Sequence, residues 1–511
     1  MYPGAHLATD PHRAAVVMAA SGDRLTYAEL EERSVRLAHV LHTAGLRRGD
    51  VVALLTDNSV RAYEVYWAAV RSGLYITLVN SHLGASEVAY IVGDSGAAAL
   101  VVSHALAGLA EEVRDHTPAV RLRLAYGGPV DGYEEYDAAL AAASAEPPAD
   151  QPRGADLLYS SGTTGRPKGI RPELPDRQVG EPGDALVELL RTFYGFDRDT
   201  VYLSPAPVYH AAPLRYGACV HALGGTVVMM ERFDAEGALA AIERHRVTHS
   251  QWVPTMFIRM LRLPEKTRTA YDLSSHRAAV HAAAPCPPDV KHAMLDWWGP
   301  VLYEYYASTE GIGMTFITSE EWLGRPGSVG RALLGELRIC DEEGRTLPAG
   351  ETGTIYFARE EAQFAYLGDA EKTAAAHHPD HPTWATVGDV GHVDDDGYLF
   401  LTDRKAFMII SGGVNIYPQE VEGVLALHPD VVDVAVIGVP DPEMGDSVKA
   451  VVQASPDALP GPELERQLIE YVRSRIAHYK APRSVDFVDE LPRTPTGKLV
   501  KGTLKARYGA T

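Results

Sequence analysis

Tyr159-Ser160-Ser161-Gly162-Thr163-Thr164-Gly165-Arg166-Pro167-Lys168-Gly169 is the stretch on which the reading of this chain turns. Its small residues let backbone amides come close to a ligand, its hydroxyls add donors, and Arg166 and Lys168 add positive charge. Those are the properties of a loop that holds a polyphosphate. It is not a Walker A loop, which needs Gly where Pro167 stands and Ser or Thr after the lysine. Pro172 follows too closely for a helix to start at once, so the strand–loop–helix cradle of the P-loop kinases is not expected. An arbitrary Gly-Ser-Thr loop is more often simply solvated. The order of these residues, and what lies around them, sets this one apart.

Upstream, Thr26-Tyr27-Ala28-Glu29 has the pattern of a capping box, and Leu30, Leu37, Ala38 and Leu41 then share one helical face until Gly45. Asp50 to Leu55 reads as a buried strand, Val65 to Val70 as part of a helix, and Ala98 to Val102 as another strand. Strands alternating with helices at this spacing predict an α/β body with largely parallel sheets. The Ala-rich run Ala138 to Ala145 reads as a helix end and surface loop.

Downstream the texture changes near residue 400. A polar turn is expected at Thr402-Asp403-Arg404-Lys405, then a short apolar run, Met408-Ile409-Ile410, and a helix opening at Pro418. Val431 to Val439 and Ser447 to Ala454 read as strands joined by PDPEMGD, and Leu464, Leu468, Val472 and Ile476 as one face of a later helix. The expected architecture is a large N-terminal body of layered β-sheets with helices, built of subdomains over residues 1–402. A small, mobile α+β domain over 403–511 follows it.

Composition narrows the function. With 47 Lys and Arg against 68 Asp and Glu, the formal net charge is −21. Such a surface repels phosphate backbones and anionic lipid, which disfavours a general nucleic-acid or membrane binder. The three cysteines, Cys219, Cys286 and Cys340, form no CxxC pair, so neither a disulfide framework nor a structural zinc site is expected. With no signal-peptide pattern at the start and no apolar run near ~18 residues, a cytoplasmic protein is expected.

Further motifs stand in order along the chain: Pro207-Val208-Tyr209-His210, Ala283-Ala284-Pro285, Tyr306-Ala307-Ser308-Thr309-Glu310-Gly311, Val387-Gly388-Asp389 and Thr402-Asp403-Arg404. Ser411-Gly412-Gly413-Val414-Asn415-Ile416 and Pro495-Thr496-Gly497-Lys498 complete the set. With the phosphate loop, they resemble the motifs of the adenylate-forming superfamily of acyl-CoA synthetases, peptide-synthetase adenylation domains and firefly-type luciferases. The resemblance covers nearly the whole chain.

It implies ATP and Mg²⁺ as cofactors and CoA as co-substrate. In such enzymes a carboxylate attacks the α-phosphate of ATP although both are anions, so catalysis is mainly positioning and charge neutralisation. The resemblance assigns Ser160, Ser161, Gly162, Thr163, Thr164, Gly165 and Lys168 to the nucleotide, with Ser160, Thr163, Thr164 and Lys168 holding the departing pyrophosphate. It assigns Glu310 to Mg²⁺, Thr309 to a phosphate, Asp389 to the ribose hydroxyls with Arg404 nearby, Tyr306 to the adenine, and Ala284 to a small-residue turn beside the nucleotide. Lys498 is the implied catalytic cation, reaching from the small domain, although most lysines are merely solvated. His210 and Tyr209 would border the acid and gate the thiol route, with Leu214 and Met314 as further walls. Gly412 and Gly413 would let a pantetheine arm approach.

One stretch departs from the family. Its hinge commonly reads DRxKDxI, whereas here Ala406 takes the lysine's place and Phe407 the acidic one after it. Rotation needs only backbone torsions, so adenylation is the firmer half of the reading and thioester formation the weaker.

The leading expectation is a carboxylate–CoA ligase acting on a fatty or aromatic acid, with small-molecule acid and CoA as partners; a homodimer is compatible with it. Two alternatives stand beside it. The Ala-, Gly- and Arg-rich composition is compatible with an actinobacterial source, and some actinobacterial relatives resemble ATP-dependent diazotases that couple nitrite to an arylamine. A non-catalytic nucleotide-binding scaffold is the other, although such a protein has no need of Thr309, Glu310, Asp389, Arg404 and Lys498 together.

Overall fold

The computed structural model describes residues 1–160, 167–361, 364–404, 407–412, 414–493 and 499–508, and only the backbone of Ser160, Asp403 and Arg404. The capping box closes as read. Thr26 Oγ1 accepts the Glu29 amide at 3.2 Å, and the Glu29 carboxylate accepts the Thr26 amide at 2.7 Å. The helix Tyr27–Thr43 buries Leu30, Leu37, Ala38 and Leu41, and the chain leaves it through Gly45 at φ 86°.

That helix packs on Arg61–Arg71 against a six-stranded sheet. Val51–Leu55 is buried at every residue and pairs with Tyr75–Val79 on one side and Ala97–Ser103 on the other. All neighbours in this sheet are parallel, as the fully apolar strands suggest. The Ala-rich run divides as expected, with a helix ending at Ala141 and a loop after it.

The second sheet has 14 strands and is parallel in only one part. Its parallel part holds helix α1 (Ala211–Leu223), strand β1 (Ala278–His281), helix α2 (Pro288–Trp298) and strand β2 (Leu302–Ala307), with α2 crossing between parallel β1 and β2. Beyond β2 the pairing turns antiparallel. Met314–Thr318 lies against β2, and β3 (Asp389–Val393) lies against β4 (Leu399–Arg404). The expectation of largely parallel sheets fails here because the connection 308–313 is too short for a crossover helix.

β4 also corrects the expected polar turn at 402–405. Thr402, Asp403 and Arg404 finish the strand, with Arg404 opposite Asp389 and Asp403 opposite Val390. Backbone pairing with β3 decides this, and side-chain polarity does not reveal it.

The small domain is a five-stranded sheet with helices. Helix α3 (Pro418–Leu425) opens on its proline. The strands Val431–Asp441 and Gly445–Ala454 are longer than expected, because Pro440 and Asp441 still pair with Asp446 and Gly445. The helix Pro462–Arg473 buries Leu464, Leu468 and Val472, whereas Ile476 lies past its end and packs half-buried on the same core. Arg262, from the body, donates to the carbonyls of Val431 at 2.5 Å and Val432 at 3.0 Å. Lys501 Nζ meets Glu422 at 2.8 Å. No helix among the described residues is long and apolar enough to cross a membrane.

Candidate active site

A continuous cleft of about 2510 Å³ runs between the body and the small domain. Strand β2 divides it, because successive side chains of a strand point to opposite faces. Tyr306 faces one side and Tyr305 the other.

On the first side, the Tyr306 hydroxyl donates to Asp389 Oδ2 at 2.7 Å, and its ring lies nearly parallel to Phe357 with centroids 6.1 Å apart. After β2 the chain turns at Gly311, whose φ of 68° suits glycine and whose amide bonds to the Ser308 carbonyl at 3.1 Å. This turn brings Thr309 and Glu310 to the cleft. The Tyr366 hydroxyl donates to Glu310 Oε1 at 2.8 Å, and the Lys168 ammonium sits 4.5 Å from the centre of the Tyr366 ring. Asp389, Tyr306, Glu310, Tyr366 and Lys168 therefore line one wall.

Lys168 begins the strand Lys168–Ile170, antiparallel to Leu158–Ser160, and the next helix starts only at Ala185. The loop expected to hold phosphate thus joins two antiparallel strands, and no helix follows it at once, as Pro172 implied. Tyr366 is fixed there by a bridge to Ile170 and by the Leu367 amide on the Gly169 carbonyl at 2.8 Å. Sequence reasoning missed Tyr366. The signal available was Asp369, three residues on, which caps the helix Ala370–Ala375 and marks an ordered turn.

Ala283, Ala284 and Pro285 follow β1 and border the cleft. Ala283 has φ 74°, a left-handed conformation that costs a residue with Cβ about 1–2 kcal/mol. Behind this turn the buried Lys291 of α2 donates to Glu304 of β2 at 2.5 Å. Burial pushes the Glu304 carboxyl above its ordinary value while the Lys291 ammonium opposes the shift. Burial likewise holds His281 neutral, 3.6 Å from Glu304.

On the other side of β2, His210 stands at the start of α1 with its ring 4.4 Å from Tyr209. Its Nε2 is buried without a partner, and burial together with His82 pushes its pKa down to about 3. A neutral imidazole at physiological pH fits a bordering role better than acid–base work. Met314 borders the cleft as expected, but Leu214 does not: it packs into the core, and the next residue, Arg215, faces the cleft instead. Apolarity fixes which helix face is buried, and Leu214 belongs to that face. Arg215 Nε donates to Asp156 Oδ2 at 2.7 Å, and Gln251 Nε2 donates to the Tyr305 hydroxyl at 3.0 Å. Arg215, Tyr305, Gln251 and Asp156 were also missed. A single arginine within AAPLRYGACVHAL was the readable signal.

Of the remaining sequence candidates, Ser161, Gly162, Thr163, Thr164, Gly165, Arg166, Ala406, Gly413 and Lys498 lie outside the described residues. So do the side chains of Ser160 and Arg404, whose backbones pair with Lys168 and Asp389. Arg493 and Leu499, which flank 494–498, border the cleft, as does Phe407. Gly412 is not among the cleft residues. Its φ is 57°, its amide bonds to the Met444 carbonyl at 2.8 Å, and a Cβ there would meet Met444 Cε at 2.4 Å.

No cluster of three potential metal ligands occurs among the described residues. Glu310 nonetheless suits a Mg²⁺ ion that takes its other ligands from phosphates and water. One carboxylate oxygen is held by Tyr366, and the side chain borders the cleft.

Comparison with known proteins gives the chain a family. Residues 5–366 match the family model for an AMP-binding enzyme, and residues 420–498 match that for an AMP-binding enzyme C-terminal domain. A feruloyl-CoA synthase from Amycolatopsis sp is 37% identical, over 98% of this chain and 96% of that protein. The long-chain-fatty-acid–CoA ligase FadD13 of Mycobacterium tuberculosis is 32% identical, over 98% and 96%. Among solved structures, the anthranilate CoA ligase AuaEII in complex with anthranoyl-AMP superposes with TM-score 0.84 at 26% identity, covering 99% of this chain and 97% of that one.

Proposed function

The chain belongs to the AMP-binding enzyme family as an AMP-forming acid–thiol ligase, and from that premise we propose that it converts an aromatic carboxylic acid to its CoA thioester through an acyl-adenylate. The observation that carries the reading is the wall shared by Asp389, Tyr306, Glu310, Tyr366 and Lys168, opposite a slot of tyrosines. The feruloyl-CoA synthase and anthranilate CoA ligase names support an aromatic acid over a fatty one.

In the first half-reaction a carboxylate oxygen of the acid attacks the α-phosphorus of ATP, and the bond to the β-phosphate oxygen breaks to release pyrophosphate. Asp389 accepts from the ribose hydroxyls, Tyr306 and Ala284 border the adenine, and Arg404 lies beside the ribose. Ser160 to Gly165 and Lys168 hold the departing phosphates, and Thr309 donates to one of them. Glu310 would hold Mg²⁺, which when bound supplies positive charge to the phosphates. Lys498 neutralises the charge shared by carboxylate and α-phosphate in the transition state.

The small domain, whose pivot we place after β4, where Ala406 and Phe407 stand, then rotates. Gly412 and Gly413 come to the pantetheine arm, past His210 and Tyr209. The CoA sulfur, having lost its proton, attacks the acyl carbonyl, and AMP leaves. The pose described here, with Arg493 and Leu499 at the cleft and Gly412 away from it, suits the first half-reaction.

The test is incubation with ATP, Mg²⁺, CoA and a panel of aromatic and fatty acids, following pyrophosphate, AMP and thioester. Aromatic acids should give all three. Adenylation without thioester for every acid would remove the CoA step. The comparisons give the diazotase alternative no support, and AMP formed only with nitrite and an aminoaryl acid is the outcome that would restore it.

A further inference from the structure

We propose that the acyl end of the cleft reads an uncharged oxygen substituent, above all a phenolic hydroxyl, on the part of an aromatic acid remote from its reacting carboxylate, through Arg215 and Tyr305. The inference deepens the proposed acid activation and rests on it.

Arg215 carries five N–H donors, of which Nε is committed to Asp156 at 2.7 Å. Its side chain is 41% exposed, and the surface it exposes borders the cleft. Asp156 itself is sealed: it is 7% exposed, and its Oδ1 is buried without a partner. The pair therefore offers donors to the cleft and no acceptor.

Tyr305 is aimed with equal definition. Tyr202 donates to Gln251 Oε1 at 3.3 Å, which orients the amide so that Nε2 donates to the Tyr305 oxygen at 3.0 Å. The tyrosine's own proton is thereby turned away from Gln251. Its ring is nearly parallel to Tyr216, at 18° with centroids 6.4 Å apart, which gives the slot flat aromatic walls. Burial pushes the Tyr305 hydroxyl up to about 12 against hydrogen bonds from Tyr216 and Gln251 and the charge of Arg215, so it stays protonated at neutral pH.

Charge selects the class of substituent. Arg215 and Asp156 sum to zero, so a second carboxylate would bring an uncompensated negative charge into the slot, whereas a neutral oxygen accepts hydrogen bonds at no such cost. Length selects its position. Arg215 follows His210 by five residues, a rise of about 7.5 Å along α1, comparable with the length of a short aromatic acid.

The experiment compares 4-hydroxycinnamate with cinnamate in ATP–pyrophosphate exchange, for the wild-type protein, Arg215→Met, Tyr305→Phe and the double variant Asp156→Asn/Arg215→Met. The double variant removes both members of the pair and leaves no orphaned carboxylate if the single one fails to fold. Wild type should favour the hydroxylated acid by about tenfold or more in kcat/KM, and each variant should bring that ratio down severalfold, mainly through KM. A wild-type preference for cinnamate would overturn the proposal, as would a ratio that survives in the folded Arg215 variants. Exchange with fatty acids but with neither cinnamate would overturn it too while leaving acid activation standing. Exchange with no acid at all would remove acid activation and this inference together.

Discussion

Tyr305 and Tyr306 are neighbours in one strand, yet they sit in environments of opposite kind. Tyr306 is held by a carboxylate, Asp389, on a wall that continues to Glu310 and Lys168. Tyr305 is held by an amide, Gln251, among aromatic rings and beside a charge-neutral ion pair. The first side suits a polyanion whose chemistry never varies. The second suits a mostly flat, uncharged body whose identity can vary from one enzyme to the next. The difference teaches that one β-strand can keep two recognition tasks apart without a domain between them.

The strongest way to test that separation is at Lys498, which the proposed mechanism assigns to both substrates. Lys498→Ala should lower pyrophosphate release by about 10²–10³-fold for every acid while ATP binding, followed by titration, remains measurable. Near-normal release would remove Lys498 from the reaction.

The next effect comes from buried histidines, of which His210 borders the acid side of the cleft. Burial takes His210 and His221 down to about 3 and His249 to about 4, from an ordinary value of 6.5. Below pH 6.5 the unfolded chain takes up protons that the folded chain refuses, so acid favours unfolding. Each pH unit lost costs about 1.4 kcal/mol per histidine until the folded value is reached. Tm should therefore fall clearly between pH 7.5 and 5.5, while the ratio of rates for two acids stays level from pH 6 to 8. A histidine-like inflection in that ratio would show that His210 titrates in the working range.

A smaller effect sharpens the nucleotide side. Tyr306→Phe removes one hydrogen bond to Asp389, worth about 1 kcal/mol, so KM for ATP should rise about fivefold and equally for all acids. A change that depends on the acid would blur the division at β2. The smallest concerns Ala283. Replacing it with glycine relieves the left-handed strain but adds unfolded-state freedom, so chemical denaturation should show a gain below about 1 kcal/mol. A loss would mean that the methyl group packs usefully.

How much of this was legible follows from the same division. The wall proposed for the nucleotide could be read because that chemistry demands particular residues at particular spacings, such as Thr309-Glu310 and Asp389, which no packing argument would require. Tyr366 escaped because it acts through a contact with Glu310, 56 positions away in sequence. The acid side resisted reading for a different reason. Periodicity identifies the buried face of α1, and so Leu214, but it does not say that a cavity opens beside the next residue. Strand type was legible in Val51–Leu55 and the end of β4 was not, since polar side chains can pair through their backbones as well as apolar ones.

The alternation along β2 has an evolutionary corollary. Substitutions at residues of one parity can retune which acid is accepted, and substitutions at the other can alter nucleotide handling, each largely invisible to the other. A single-residue insertion or deletion in Leu302–Ala307 does the reverse, because it exchanges the faces of every residue after it and damages both tasks at once. Lineages descended from such a protein should therefore diversify at Tyr305 by replacement alone, and never by a change in the length of this strand.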